Sequence, residues 1–406
     1  LDKESEKRGL SVYLVDRTIP MLPEILSNDL CSLKPNEDKF TFSTVFKMDG
    51  NGKVLEEWFG RTVIHSDKRF TYEDAQEVIE GKKDGPFQKE LQKLNEIAKK
   101  LEKSKINNGA MVFDTDEVKF VLDEKGKPIS VYRKQRLDTH KLVEEYMLLA
   151  NRAVAKHIFM SQNKGIKGKQ SVYRIHSKPD KERIQNLAVF LKALGFNLKN
   201  KDGEVTSKDL NELLKEVKGT PNEDLINTAV VRSMSKAVYS TKNIGHFSLA
   251  FAHYTHFTSP IRRYPDVLVH RFLDREIKGG KVEQDEYQKF ESICLASSEL
   301  EKKASDAERA SIKYKQVEYM SEHIGEEFTG TITGVTEWGI YIEENETKCE
   351  GMIKLKDLGD DFFTLDEKNY TIKGEKTGKK YTLGDEVKFK VVSADMERRV
   401  LDYTLV

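Results

Sequence analysis

Cysteine is scarce in this chain: Cys31, Cys294 and Cys349 are the 3 among 406 residues, far apart and without a CxxC pair. Their scarcity excludes a disulfide framework and a zinc knuckle, and predicts reduced core thiols. Net charge is lacking too, with 68 basic residues against 68 acidic ones. Composition therefore gives no sign of nucleic acid, and any site for a polyanion must be local, a groove of concentrated Arg and Lys. No run approaches the roughly 20 consecutive apolar residues of a membrane helix, and the charged start Leu1-Asp2-Lys3-Glu4-Ser5 is not a secretory signal. The expectation is a cytoplasmic protein with no membrane partner. Position 1 lacks Met, and the apolar strand Ser11-Val12-Tyr13-Leu14-Val15 follows closely and needs neighbours, which predicts a fragment of a longer protein.

Hydrophobic residues make up 38% of the chain, enough for an ordinary buried core. Up to Ile64 the pattern is extended, with a hairpin turning at Asp49-Gly50-Asn51-Gly52, where Gly and Asn tolerate the positive φ of a tight turn. Helices dominate from Thr71, including one from Pro86 to about Ser104 that Asn107-Asn108-Gly109 stops. A second hairpin turns at Asp123-Glu124-Lys125-Gly126. In the next helix Leu142, Val143, Tyr146, Met147 and Ala150 form an apolar stripe predicted to be core. Two further helices end at Gly195 and Gly219, and a long one from about Tyr287 to His323 ends at Gly325. From Glu326 short β-rich runs take over. The prediction is an α+β fold: a core of antiparallel hairpins and many helices over residues 1–324, then an all-β barrel over 325–406.

The most specific string is GHFSLAFAHYTHFTSPIRRYPDVLVHRFLD, Gly245 to Asp274. Pro265 is expected to keep Tyr264 out of helical conformation and suits the first turn of the helix that follows. Arg262 and Arg263 then lie just before a helix N-terminus, where free N–H groups and the helix dipole favour an anion such as phosphate. An Arg fork can bond two phosphate oxygens, each charge-assisted contact contributing roughly 1.5–3 kcal/mol. The alternative is a pair bound to surface carboxylates. His246, His253, His256 and His270 fit no zinc spacing and are read as structural.

HFTSPIRRYPDxxxHR resembles the signature of the ribonuclease II/ribonuclease R family, an RNB-type nuclease core. Further matching strings are RGLSVYLVDRTIPMLPEILSNDLCSL, HKLVEEYMLLANR, YRIH and RSMSKAVY, in order along the chain. The IRRYPD loop and the C-terminal insertion favour the ribonuclease R branch. The resemblance implies a processive 3′-to-5′ exoribonuclease that hydrolyses single-stranded RNA from its 3′ end, uses Mg²⁺ and releases 5′-monophosphates, most simply as a monomer. It makes Arg262 the catalytic arginine and Arg263 its RNA-binding neighbour. Tyr13 becomes the aromatic that stacks on the terminal nucleotide, Glu145 (or Glu144) the ribose-binding carboxylate, and Tyr72 with Phe113 an aromatic clamp. Glu308 or Glu301 matches a glutamate of the long helix. The family's metal-binding Asp cluster, resembling DxxDxKDxDDA, precedes the RGxSVY strand. Asp2, Glu4 and Glu6 do not reproduce its spacing, so no metal ligand is assigned here and the fragment alone is expected to be inactive. A non-catalytic RNA-binding protein using the same groove is the rival reading.

The segment from Phe328 resembles the RNA-binding OB module named after ribosomal protein S-one. Alternation predicts Ile340 and Ile342 in a five-stranded barrel core and Tyr341 on the opposite face. Trp338 and Tyr341 beside Lys354 and Lys356 then form a candidate base-stacking platform.

Overall fold

The computed structural model describes residues 1–112, 117–161, 171–199, 203–220, 222–280, 284–367 and 369–406. Both predicted hairpins form, Asp38–Met48 with Val54–His65 and Glu117–Leu122 with Pro128–Lys134, each a two-stranded antiparallel sheet. At both turns an Asp side chain fastens the loop: Asp49 Oδ1 accepts the N–H groups of Asn51 and Lys53, and Asp123 Oδ1 those of Lys125 and Lys127.

Helices follow from local signals. Thr206 and Asp209 form a reciprocal capping box at the start of Ser207–Val217. Gly195 and Gly219 take φ of 85° and 79° just past their helices, a conformation costly for any residue with a Cβ. These short helices, Lys181–Ala193, Ser207–Val217 and Glu223–Ser233, bury Leu187, Leu191, Leu210, Leu213 and Ile226 in a satellite cluster. The main core joins Val154 and Ile158 of helix Asp138–Ser161 to Leu268, Val269, Phe272 and Leu273 of helix Tyr264–Ile277. Burying one such side chain contributes roughly 1.5–3 kcal/mol.

Four local expectations are corrected. Cys31 is exposed and not a core thiol, whereas Cys294 and Cys349 are buried. The run Ser11–Val15 pairs as a strand only at Val12–Tyr13, with Thr18–Ile19; its start is bonded to the arginine loop instead, Ser11 N–H donating to Arg262 O at 3.0 Å. Tyr264 is the first helical residue, not an extended one, and Arg263 is the cap with φ −142° and ψ 121°. Proline fits the second helical position as well as the first, because its missing N–H is one the helix start leaves unpaired. The stripe on Asp138–Ser161 is rotated from the predicted one: Glu145, Leu148 and Asn151 are buried with Ala150, while Val143 is exposed. Neighbours reaching in from other elements, Lys105 above all, decide which face is covered.

The 38-residue helix Gln284–Ser321 runs from core to barrel. Its last turns place Val317 and Met320 in the barrel's own core, while Lys313 and Gln316 bond the carbonyls of Glu350 and Lys348. The barrel closes in the order Gly339–Glu344, Glu350–Lys354, Val400–Leu405, Glu386–Asp395, Glu327–Thr336. Ile340 and Ile342 are fully buried and Tyr341 points the other way, as the alternation requires. A separate three-stranded sheet, Phe363–Asp366, Thr371–Gly374 and Lys380–Thr382, is inserted in the sequence between barrel strands Glu350–Lys354 and Glu386–Asp395.

Candidate nucleic-acid interface

Pieces of chain distant in sequence build one cleft. The segment Gly9–Tyr13 is stitched to the arginine loop by Ser11 N–H to Arg262 O and Tyr264 N–H to Gly9 O, at 3.0 and 2.8 Å. It meets the long helix where Val15 N–H donates to Ser311 Oγ at 3.1 Å. Strand Tyr173–Ile175 brings in Arg174, whose fork grips Glu301 of the long helix with bonds of 2.6 and 3.0 Å. Arg174 also lies 4.7 Å over the Tyr239 ring. The open cleft, about 730 Å³, is lined by Tyr13, Arg174, Arg262, Arg263, Glu301 and Glu308, and also by Lys236, Lys302 and Arg309.

Of the two arginines, Arg263 is held by the protein itself. Its Nη2 donates to Asp266 Oδ1 at 2.7 Å, and its side chain is largely buried. Arg262 is exposed to the cleft and has no carboxylate partner among the described residues. The expectation of a free anion site before the helix therefore divides: the first helical turn already carries Asp266, fully buried, and only Arg262 is left open. Tyr13 is partly exposed on the same wall. The long-helix ambiguity also divides, because both glutamates line the cleft but Arg174 engages Glu301, whereas Glu308 is exposed.

Other predicted residues lie elsewhere. Glu145 is 5% exposed and bonded to Lys105, itself buried; burial pushes its carboxyl up, with the Lys105 ammonium pulling it back. It is thus no solvated helix carboxylate, and it does not line the cleft. Glu144 pairs with Arg136. Tyr72 stacks on His140, centroids 4.0 Å apart, with Lys134 at 5.9 Å from its ring, also outside the cleft lining. Phe113 falls outside the described residues. Trp338 is 68% exposed at the barrel edge, and the ring of Tyr341 packs over Gly334 on the neighbouring strand.

The histidines of the loop are engaged internally. His270 contacts Phe257 O at 2.8 Å, His256 the Tyr239 hydroxyl at 2.8 Å, and His246 Ser248 Oγ at 3.4 Å. Burial drives His246 down to about 3, helped by His176 and Arg174, and drives His256 well below the ordinary histidine range. Among the described residues no three His, Cys, Asp or Glu side chains converge, so the residues present do not fit a divalent metal. Also among them, no helix is long and apolar enough to cross a membrane. Sequence reasoning quoted YRIH without singling out Arg174, and it missed Asp266 and Lys302. An Arg inside a short strand motif was the available signal for Arg174; Asp266 reads as an ordinary first-turn acid until the loop folds over it.

Comparison with known proteins agrees with this architecture. The RNB domain matches residues 1–279 and the S1 RNA binding domain residues 322–404. Ribonuclease R of Aquifex aeolicus is 38% identical over all of this chain and 57% of its own length. Ribonuclease R of Escherichia coli is 32% identical over all of this chain and 51% of its own. The chain thus spans about half the length of the curated relatives it matches. A structure described as Mycoplasma genitalium RNase R in complex with ribose methylated single-stranded RNA superposes with a TM-score of 0.91 at 29% identity, covering 100% of this chain and 64% of that one. Yeast Ssd1, described as a pseudonuclease, shares the fold alone, with a TM-score of 0.73 at 20% identity over 91% of this chain and 46% of its own. By its matched domain, its arginine loop and its fold, the chain belongs to the RNB domain family, carrying an S1 RNA binding domain behind the RNB domain.

Proposed function

We propose that this chain supplies the catalytic arginine and most of the RNA path of a processive 3′-to-5′ exoribonuclease that shortens single-stranded RNA to 5′-monophosphates. The observation that carries it is Arg262, unpaired among the described residues and facing a cleft that also holds Tyr13 and Glu308. A guanidinium that no carboxylate neutralises is preorganised for charge developing on a phosphate, where such donors contribute most. Tyr13 would stack on the last base and Glu308 would accept hydrogen bonds from ribose hydroxyls, contacts that select a terminal ribonucleotide. Arg263 lies behind Arg262 and would support the phosphate grip through the loop. Trp338 and Tyr341 of the barrel would hold incoming RNA by stacking, independent of base sequence.

Mg²⁺ belongs to this reading as a cofactor held by aspartates outside the present chain, where it would stabilise the attacking and leaving oxygens. No step assigned to residues of this chain passes through it. A cytoplasmic monomer is kept as part of this reading. The test is hydrolysis of 5′-labelled single-stranded RNA by the longer protein with magnesium: stepwise shortening from the 3′ end is expected, and a protein inert on unstructured RNA overturns the reading. The second reading, RNA binding without cleavage, draws on the S1 RNA binding domain at residues 322–404; it predicts tight RNA binding with no shortening in the same assay.

A further inference from the structure

We infer that Asp266 is the positioning residue that aims Arg262 into the cleft, an inference that rests on the nuclease reading above. Asp266 is fully buried in the first turn of helix Tyr264–Ile277. Its Oδ1 accepts two bonds at once, from Ser259 N–H at 2.8 Å and from Arg263 Nη2 at 2.7 Å. Ser259 and Arg263 bracket Arg262. The backbone closes the same turn, because the N–H groups of Arg262 and Arg263 both donate to Ser259 O, at 3.2 and 3.1 Å. One carboxylate oxygen therefore pins Ser259 and Arg263 on either side of Arg262, and of the residues between them Arg262 is the exposed one, reaching the cleft from a turn fixed at each end. Outside the turn, Ser11 and Gly9 hold the Arg262 and Tyr264 backbones to the segment that carries Tyr13.

Packing alone does not account for this arrangement. Asp266 Oδ2, Arg263 Nε and Thr258 Oγ1 are buried without a partner among the described residues. Unpartnered buried polar atoms are costly, so a purely structural role would be served as well by apolar side chains of similar size. A buried ion pair earns its place when it sets a geometry, and the geometry set here is that of the one uncompensated guanidinium in the loop. Arg263 is thereby consumed as a structural strut, which explains why two adjacent arginines behave differently.

The experiment uses the longer protein with single-stranded RNA. Asp266→Asn keeps the shape but removes the charge that holds Arg263, and kcat is expected to fall about 100-fold, the effect of displacing a reacting group by about 1 Å. The dissociation constant for the same RNA is expected to change less than about threefold, because stacking and phosphate contacts outside the turn remain. In an Arg262→Ala background, Asp266→Asn is expected to add nothing, since it acts through Arg262. Unchanged kcat in the single variant overturns the inference, and so does a full multiplicative loss in the double variant. Should Asp266→Asn fail to fold, Arg263→Lys, which keeps the charge but loses the fork, is scored in the same way. An inert parent protein would sink the nuclease reading only. A crystal structure of the Asp266→Asn chain then decides this one: Arg262 moved by about 1 Å or more relative to Tyr13 supports it, and an unmoved Arg262 overturns it.

Discussion

The cleft and the barrel edge carry similar groups, aromatic rings beside cations, in opposite physical states. In the cleft Arg174 and Arg263 are bonded to carboxylates and largely buried, and among the described lining arginines Arg262 is the one without a carboxylate partner. At the barrel edge Trp338 stands in solvent, and Lys356 is exposed. A site for bond breaking needs donors held before the substrate arrives, because their reorganisation would otherwise raise the barrier. A site that only retains a moving strand works better with loose, sequence-tolerant stacking. Under the proposed function, the difference in burial separates chemistry from grip.

The largest expected effect contrasts a buried ion pair of the α+β core, outside the cleft, with an exposed one on the barrel. Lys105→Met leaves Glu145 buried without its partner and is expected to cost about 3–5 kcal/mol of stability, whereas Lys354→Met, at the exposed pair with Asp402, is expected to cost under about 1 kcal/mol. Urea titration of the chain checks both, and equal losses would erase the distinction. Next in size, Arg262→Ala in the longer protein is expected to lower kcat about 100- to 1000-fold with little change in RNA affinity. Trp338→Ala should do the reverse, weakening RNA binding by about 1–3 kcal/mol and leaving kcat at saturating RNA intact. Fluorescence anisotropy and single-turnover kinetics separate these two outcomes.

Acid provides a smaller test. His246, His256, His176 and His270 are all held below the usual range by burial, and the segment 326–406 contains no histidine. Below about pH 6.5 the unfolded chain takes up protons that these folded histidines refuse, so stability falls as pH drops, by up to about 1.4 kcal/mol per pH unit for each. Amide exchange at about pH 5 is therefore expected to quicken first around residues 173–273, with the barrel still protected; uniform loss of protection would contradict it. The smallest effect belongs to Lys356→Ala, expected to reduce the salt slope of RNA binding by about 1 if Lys356 touches a phosphate.

Reading the chain without its fold went furthest where a signal is local. Turn glycines, capping residues and alternating strands such as Ile340-Tyr341-Ile342 report their own conformation, because neighbours within a few residues set φ, ψ and facing. The arginine loop could be identified for the same reason, since its prolines and paired arginines lie within six residues of one another. What the sequence could not assign was partnership. Glu145 looks like a surface carboxylate until helix Gln88–Asn107 delivers Lys105 to it, and the predicted apolar stripe rotates for the same reason. Glu301 and Glu308 are indistinguishable along the helix until Arg174 arrives from a strand over 120 residues away and takes one of them. Burial and ion pairing depend on which distant segments meet, and that is decided only when the chain closes on itself. Segment character was thus written locally, while which of the cleft's described arginines is left without a carboxylate belonged to the tertiary structure.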